Sequence, residues 1–89
     1  MTEIQQIVKD TEWIRKQLFP RWKKTNSNTW QTVAWNCQVE VYWRRSDESG
    51  TYTVNGREYY VMAGHTLREI KNRAVAMAQT THRNTTAAS

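Results

Sequence analysis

The stretch "TYTVNGREYYVMA", residues 51–63, predicts a tight antiparallel hairpin. Asn55-Gly56 suits a type I′ turn, because both central residues of that turn take a positive φ. A two-residue turn here pairs Val54 with Arg57 and fixes the register of the two strands. One side of the hairpin then carries its predicted core residues, Tyr52, Val54, Tyr59 and Val61.

Upstream of the hairpin, residues 32–44, "TVAWNCQVEVYWR", alternate between two faces. A period of two predicts a half-buried strand, and the length of this one favours a bend or bulge near Asn36. Its predicted core face comprises Val33, Trp35, Cys37, Val39, Val41 and Trp43. The polar stretch "SDESG", 46–50, connects it to the hairpin, so the pattern predicts three antiparallel strands in sequence order.

Two helices are predicted to flank these strands. The first covers residues 2–19, beginning with a capping-box pattern at Thr2 and Gln5. It ends where Pro20 moves the preceding residue out of helical geometry. Residues 25–29 follow as a polar linker with no core residue.

The second helix begins at Thr66, which forms another capping-box pattern with Glu69. Its predicted inward stripe comprises Leu67, Ile70, Ala74 and Met77. The stripe ends near Gln79, and residues 80–89 lack large apolar side chains, which predicts a disordered tail. The predicted fold class is therefore α+β in the order αβββα, a three-stranded antiparallel meander with both helices packed on one face. Residues 1–79 form its single domain.

The chain is basic, with a formal net charge of +5 over 89 residues and a pI near 9.7. The excess cations lie near the two ends, while residues 26–64 are close to neutral. Such a balance favours an anionic partner, for example nucleic acid or an acidic protein.

Several function classes are disfavoured by the sequence. The single cysteine, Cys37, and the two histidines show no metal-ligand spacing, and there is no Gly-rich phosphate loop or Ser/His/Asp pattern. These observations predict a non-enzymatic protein with no cofactor and no metal. No signal-peptide-like or membrane-spanning run occurs, so a cytoplasmic protein with no membrane partner is expected.

The first candidate site is the basic stretch "RKQLFPRWKK", residues 15–24, in which five cations mix with Phe19 and Trp22. This mixture suits nucleic acid, because cations meet phosphates and rings stack on bases. The candidate residues are Arg15, Lys16, Arg21, Trp22, Lys23 and Lys24. The alternative is a helix end whose cations lie near its negative pole, together with two core aromatics.

The second candidate site lies at the start of the C-terminal helix. Its residues, on one side of the helix or just before it, are His65, Arg68, Lys71 and Asn72. The unpaired N–H groups of a first helical turn add a partial positive charge, so this place suits a phosphate. The alternative is an ordinary solvated face.

Residues 52–78, "YTVNGREYYVMAGHTLREIKNRAVAMA", resemble the C-terminal part of a double-stranded-RNA-binding domain. That family has a strand, a turn with Gly, a second strand and then G-x-[S/T]-K-K-x-A-K-x-x-A-A, which corresponds here to residues 64–75. The resemblance implies the αβββα fold. Position by position, it also implies that Arg68 and Lys71 contact phosphates across the RNA major groove. Leu67 stands where the family has the first lysine of the motif.

The leading functional prediction is a small protein that binds nucleic acid, duplex RNA or DNA, through the ends of its two helices. The rival is a protein-interaction module, for example a small phage or mobile-element protein that binds a host factor, and a homodimer is a variant of it. Its exposed sheet face would offer Tyr42, Tyr60 and Met62, residue types favoured at interfaces. A third interpretation, a sheet whose open face enters a DNA groove, is disfavoured by Glu40 and Glu58 on that face.

Overall fold

The computed structural model describes residues 11–88, with side chains through residue 85. Its elements are a helix, α1, described over residues 11–18, then five strands and a long helix, α2. The strands are β1 (Lys23–Asn26), β2 (Thr29–Ala34), β3 (Cys37–Arg44), β4 (Ser49–Val54) and β5 (Arg57–Val61), and α2 spans Leu67–Ala88. The strands form one antiparallel sheet in the order β1-β2-β3-β4-β5, so the predicted α+β class is confirmed.

The predicted hairpin is confirmed as β4 and β5. Asn55 and Gly56 have φ angles of 50° and 86°, as a type I′ turn requires, and Val54 pairs with Arg57. Of the four predicted core side chains of this hairpin, three are buried and Tyr59 is half-buried. Local turn chemistry therefore sets both the register and the buried side of these strands.

The predicted long strand, 32–44, is instead two strands, β2 and β3, joined by a two-residue turn at Trp35-Asn36. Both turn residues have a positive φ, 53° and 57°. Because such a turn puts its two flanking residues on the same face, the alternation of β2 is reversed relative to β3. Val33 is therefore 66% exposed and Ala34 is fully buried, so the prediction was wrong for these two residues.

The predicted polar linker, 25–29, is also part of a hairpin. Asn26 pairs with Thr29, and the Asn28 N–H donates to the Asn26 side-chain oxygen at 2.9 Å, as in an Asx turn. β1 and β2 therefore extend the predicted three-stranded meander to five strands. The prediction of three was wrong because a sheet-edge strand need not supply core residues, and all four side chains of β1 are exposed.

The core lies between the sheet and α2, which packs across β3 and β4. Ile70, Ala74 and Ala78 recur at helical spacing on α2 and are fully buried. The buried apolar side chains of the strands are Ala34, Cys37, Val39, Val41, Tyr52, Val54 and Val61. Since α2 covers the middle strands, a flank made by β1 and β2 lies beside the helix.

The start of α2 is as predicted, but its end is not. Thr66 Oγ1 accepts the N–H of Glu69 at 3.2 Å and so caps the helix. The helix continues past Gln79 to Ala88. The segment predicted as a tail, 80–89, is therefore helical from residue 80 to residue 88. Threonine hydroxyls in this segment donate to carbonyl oxygens one turn back, which satisfies them within the helix. No helix within residues 11–88 is long and apolar enough to cross a membrane.

The described part of α1 packs against the β2–β3 turn and against α2. The Trp13 ring meets the Trp35 ring edge-on at 5.5 Å and lies 6.0 Å from the His82 ring. Gln17 Oε1 accepts the Trp35 N–H at 2.6 Å. α1 therefore lies beside the C-terminal half of α2, and contacts from this distant segment hold Trp35 in its turn.

The predicted end of the first helix is confirmed. α1 stops at Leu18, and the Phe19 N–H donates to the Arg15 carbonyl one turn back, just ahead of Pro20. The predicted start of that helix, with its capping-box pattern in residues 2–5, lies outside the described residues.

Candidate nucleic-acid interface

The sheet register separates two neighbouring lysines. Lys23 pairs with Gln31 and Lys24 pairs with Trp30, so the two lysines project to opposite faces of the sheet. Trp30 pairs in turn with Val41, which is buried beneath α2. Lys24 and Trp30 therefore lie on the face that carries α2, named here the helical face. Lys23 lies on the opposite one, the open face.

Four side chains meet on the helical face beside β1, and they are named the lysine–tryptophan cluster: Trp22, Lys24, Trp30 and Lys71. Nζ of Lys71 lies 5.4 Å from the ring centroid of Trp22 and 5.3 Å from that of Trp30. Nζ of Lys24 lies 5.5 Å from the same Trp30 ring. These distances are typical of cation–π contacts, so two ammonium groups share one indole.

Neither ammonium group of the cluster has an acidic partner among residues 11–85. Within that range, the carboxylates that lie against a basic side chain are Asp47, beside Arg44, and Glu69, beside His65. Partial burial lowers the pKa of the Lys71 ammonium, because desolvation disfavours its charged form. The cluster thus concentrates positive charge against aromatic rings without a compensating carboxylate from the described residues, and a bound anion would stabilise it.

The start of α2, the second candidate site, already holds a negative charge of its own. Nδ1 of His65 lies 2.9 Å from Oε2 of Glu69, and this hydrogen bond is the main cause of the lowered pKa of the Glu69 carboxyl. The carboxylate lies near the positive end of the helix, where it competes with any external anion. Of the other residues predicted there, Lys71 belongs to the lysine–tryptophan cluster. Arg68, which precedes Lys71, and Asn72, which follows it, are both exposed.

The first candidate site, residues 15–24, is divided by the fold. Trp22 and Lys24 belong to the lysine–tryptophan cluster, whereas Lys23 projects to the open face. Arg21 and Lys23 line a groove of about 520 Å³. The fold therefore splits a continuous basic run between two surfaces.

Arg15 and Lys16, also predicted in that site, are exposed on α1. α1 contacts α2 at His82, and about 16 Å of helix axis separates that residue from Lys71. The two α1 cations therefore lie apart from the lysine–tryptophan cluster.

Trp30 is the cluster residue that was not among the predicted site residues; its placement, like that of Trp22, was not fixed by the sequence pattern. The signal for it is the Trp35-Asn36 turn, because a separate strand β2 places Trp30 on the helical face by simple alternation. The structure also adds Arg57, whose guanidinium lies 5.8 Å from the Tyr59 ring on β5, across α2 from the cluster. This cation was not a candidate in the sequence.

The open face is less basic than the helical face. Lys23, Gln31, Glu40, Thr53 and Glu58 form one row across the five strands. Gln31 Nε2 donates to Glu40 Oε2 at 2.7 Å within this row. The predicted placement of the two glutamates on one face is confirmed, and their charge offsets that of the lysine.

A second row on the open face joins Tyr42, Thr51 and Tyr60. Tyr60 is 82% exposed, and Met62, just after β5, is 84% exposed. A hydrogen bond to Glu58 raises the pKa of the Tyr60 hydroxyl, which keeps that group protonated as a donor. Tyr42 and Tyr60 therefore share one row of the open face with Thr51 between them, and Met62 is exposed two residues after Tyr60.

Within the described residues, no three His, Cys, Asp or Glu side chains are grouped so that they could hold a metal ion. Cys37 is buried, with Sγ 3.4 Å from the Trp35 carbonyl oxygen and 3.6 Å from that of Ala78. Burial raises the pKa of this thiol, and a hydrogen bond to Asn55 offsets only part of the effect. The neutral thiol is a packing group with little nucleophilic character.

Comparison with protein-family models, with curated proteins and with solved structures found no match for this chain. The resemblance of residues 52–78 to a double-stranded-RNA-binding domain therefore stays a prediction.

Proposed function

We propose that this chain is a non-enzymatic nucleic-acid-binding protein that contacts phosphates through its helical face. The main support is that Lys24 and Lys71 converge on the Trp30 ring, at 5.5 and 5.3 Å, without an acidic partner among the described residues. Nucleic acid supplies what this arrangement lacks. Each phosphate offers a negative charge to a cation, and each base offers a flat π-surface to a ring.

The distribution of charge between the two faces also favours the helical face as the binding surface. Besides the cluster, the helical face carries Arg57 on β5, and Arg68 is exposed near the start of α2. The open face carries Glu40 and Glu58, which repel a polyanion. Since a potential that varies over the surface steers a charged partner, approach from the helical face is favoured.

Lys71 is expected to contribute more than an ordinary surface lysine. Its side chain is half-buried, and its ammonium group is held between contacts to Trp22 and Trp30. A pre-positioned side chain loses less conformational freedom on binding than a free one. A phosphate would also offset the desolvation that lowers the pKa of this lysine.

Anisotropy titrations with labelled single-stranded and duplex RNA and DNA test the proposal. We expect binding at low salt, with an affinity that falls steeply as salt is raised. Lys71→Gln should weaken binding about tenfold, the size expected for losing one charge-assisted contact. Arg83→Gln removes an exposed cation near the far end of α2 and serves as the matched control. No binding at low salt, or equal losses from the two variants, would contradict the proposal.

The open face supports a second candidate function, the docking of a protein. The exposed side chains of Tyr42, Tyr60 and Met62 are of the types enriched at interface centres. Light scattering of the wild type and of a Tyr60→Ser, Met62→Ser variant tests self-association through this face. A pull-down from nuclease-treated lysate tests other proteins. If the protein is monomeric, and if everything that it captures from the lysate is lost on nuclease treatment, protein docking is excluded and the first proposal is favoured.

A further inference from the structure

We infer that the ligand is a single-stranded nucleic acid, with bases stacked on Trp22 and Trp30 and phosphates paired with Lys24 and Lys71. This inference rests on the proposed function. It names the form of nucleic acid that the lysine–tryptophan cluster takes.

The two tryptophans of the cluster differ from the other described tryptophans in what their rings contact. Trp13 is 40% exposed but meets the ring of the buried Trp35 edge-on. Trp43 donates its indole N–H to a backbone carbonyl at 2.9 Å, and the guanidinium of Arg45 lies 5.9 Å from its ring. The rings of Trp22 and Trp30 are instead half-buried with lysine ammonium groups over them. Trp22 packs partly against the core, whereas Trp30 lies outside the packed core residues. The cluster is distinguished by two rings that lie next to each other, since Nζ of Lys71 is within 5.4 Å of both centroids. Displacing flexible lysine side chains would therefore open two neighbouring rings to a ligand.

A ligand can displace a lysine ammonium group from the face of a tryptophan ring. Lysine carries its charge on a flexible four-carbon stem, so Nζ of Lys24 or Lys71 can swing from the indole to a phosphate oxygen. The ring face that it leaves is then open to a base. A charge-assisted contact to phosphate is stronger than an exposed cation–π contact, and the stacked base replaces the contact that was lost. The exchange needs a phosphate and an unpaired base at the same place.

One strand can reach both rings. Nζ of Lys71 lies 5.4 Å from the Trp22 centroid and 5.3 Å from the Trp30 centroid, so the two indoles are close enough to take nearby bases of one chain. The cluster lies between α2 and β1, an edge strand whose four side chains are all exposed. An extended strand can therefore enter from the side of the sheet.

A duplex cannot use the cluster in this way. Its bases are paired and stacked, so their flat faces are covered, and side chains do not read the deep, narrow major groove of duplex RNA. A duplex would meet the two lysines through its phosphates and leave the rings of Trp22 and Trp30 as they are. Stacking tolerates any base, so little sequence preference is expected. A single-stranded ligand therefore differs from the duplex RNA that the family resemblance implies.

The test compares three polyanions at matched salt: labelled oligothymidylate, a DNA duplex of the same length, and heparin, which has charge but no bases. Oligothymidylate should bind at least about tenfold more tightly than the duplex and should quench tryptophan fluorescence, whereas heparin should not quench it. Trp30→Leu should weaken oligothymidylate binding about tenfold and leave heparin binding unchanged. Lys71→Gln should weaken the binding of both.

Two further variants keep the result interpretable. Tyr60→Leu removes an exposed ring from the open face and should change nothing. If Trp30→Leu disturbs folding, judged by circular dichroism, Trp30→Phe takes its place: it should keep most of the affinity and lose part of the quenching. Equal binding of strand and duplex, without quenching and without an effect at Trp30, would overturn the inference and leave the proposed function standing. No binding to any nucleic acid would overturn both.

Discussion

Lys23 and Lys24 are adjacent in β1 but lie on opposite faces of the sheet, Lys23 beside Gln31 and Lys24 beside Trp30. Replacing Lys23 removes one positive charge of β1 from the open face. Replacing Lys24 by the same residue removes one positive charge of β1 from the helical face. This pair separates binding through α2 and its flank from binding through the open sheet.

The salt dependence of nucleic-acid binding should follow this difference. We expect Lys24→Gln to reduce the slope of log affinity against log salt by about 0.7 for a single strand, because one phosphate contact is lost. Lys23→Gln should leave the slope almost unchanged. Anisotropy titrations at several salt concentrations measure both slopes. If Lys23→Gln changed the slope more than Lys24→Gln does, the binding site would be on the open face.

Gly50 tests the register of β3 and β4. It pairs with Trp43, and a Cβ atom at this position would collide with the Tyr42 carbonyl oxygen. Gly50→Ala should therefore lower the free energy of unfolding by about 1–3 kcal/mol, since the backbone has to shift. Urea unfolding measures the change, with Thr53→Ala in the same strand as a control of smaller effect. Wild-type stability of Gly50→Ala would argue against this register.

Asn36 tests whether residues 32–44 turn or run straight. It is exposed and has a φ of 57° in the β2–β3 turn. Asn36→Gly should stay within about 1 kcal/mol of the wild type, because glycine takes this φ without strain. Asn36→Val should lose about 1–2 kcal/mol of unfolding free energy. In one continuous strand the ranking would be reversed, since valine favours a strand and glycine does not.

Gln17 ties α1 to the same turn through its bond to the Trp35 N–H, 2.6 Å long. Gln17→Ala should cost about 1–3 kcal/mol of unfolding free energy, because the backbone donor of a buried residue loses its partner. Hydrogen exchange at the Trp35 amide should become faster. Lys16→Ala, at an exposed neighbouring position, should change neither measurement. An unchanged exchange rate in Gln17→Ala would show that α1 does not dock there in solution.

Asp47 should contribute to the acid stability of the protein. Its carboxylate accepts hydrogen bonds from Arg44 Nε and Nη2, at 3.1 and 2.9 Å, and from the Ser49 hydroxyl at 2.7 Å. The bond to Arg44, followed by that to Ser49, lowers the pKa of Asp47 from its ordinary value of 3.8. Because the folded-state pKa is lowered, this contribution is complete well above pH 3.8 and is lost as the pH falls through the lowered value.

Asp47→Asn should therefore show a smaller fall in melting temperature under acid than the wild type does. Melting curves recorded by circular dichroism from neutral pH to below pH 3.8 measure this difference. The two proteins should respond in parallel at higher pH, where the carboxylate is fully ionised in both the folded and the unfolded state. Identical acid responses would mean that the hydrogen bonds to Arg44 and Ser49 do not persist in solution.

Turn chemistry explains why one hairpin could be predicted and another could not. Asn55-Gly56 is recognisable because both residue types accept a positive φ. Trp35 rarely takes such a φ, and the pair Trp35-Asn36 continues the apolar–polar alternation across the turn. What holds Trp35 there is its burial and its ring contact with Trp13. That contact comes from a distant part of the chain and leaves no local signal.

By itself, the sequence determined the α+β class, the register of β4 and β5 and the capped start of α2. Each of these depends on residues only a few positions apart, whose local geometry favours one arrangement. Only the tertiary structure decided which cations lie together. The turn at Trp35-Asn36 reverses the alternation of β2, which places Trp30 beneath Lys24 and beside Lys71 on α2. A surface built from three distant segments depends on strand register and helix packing, which local patterns do not encode.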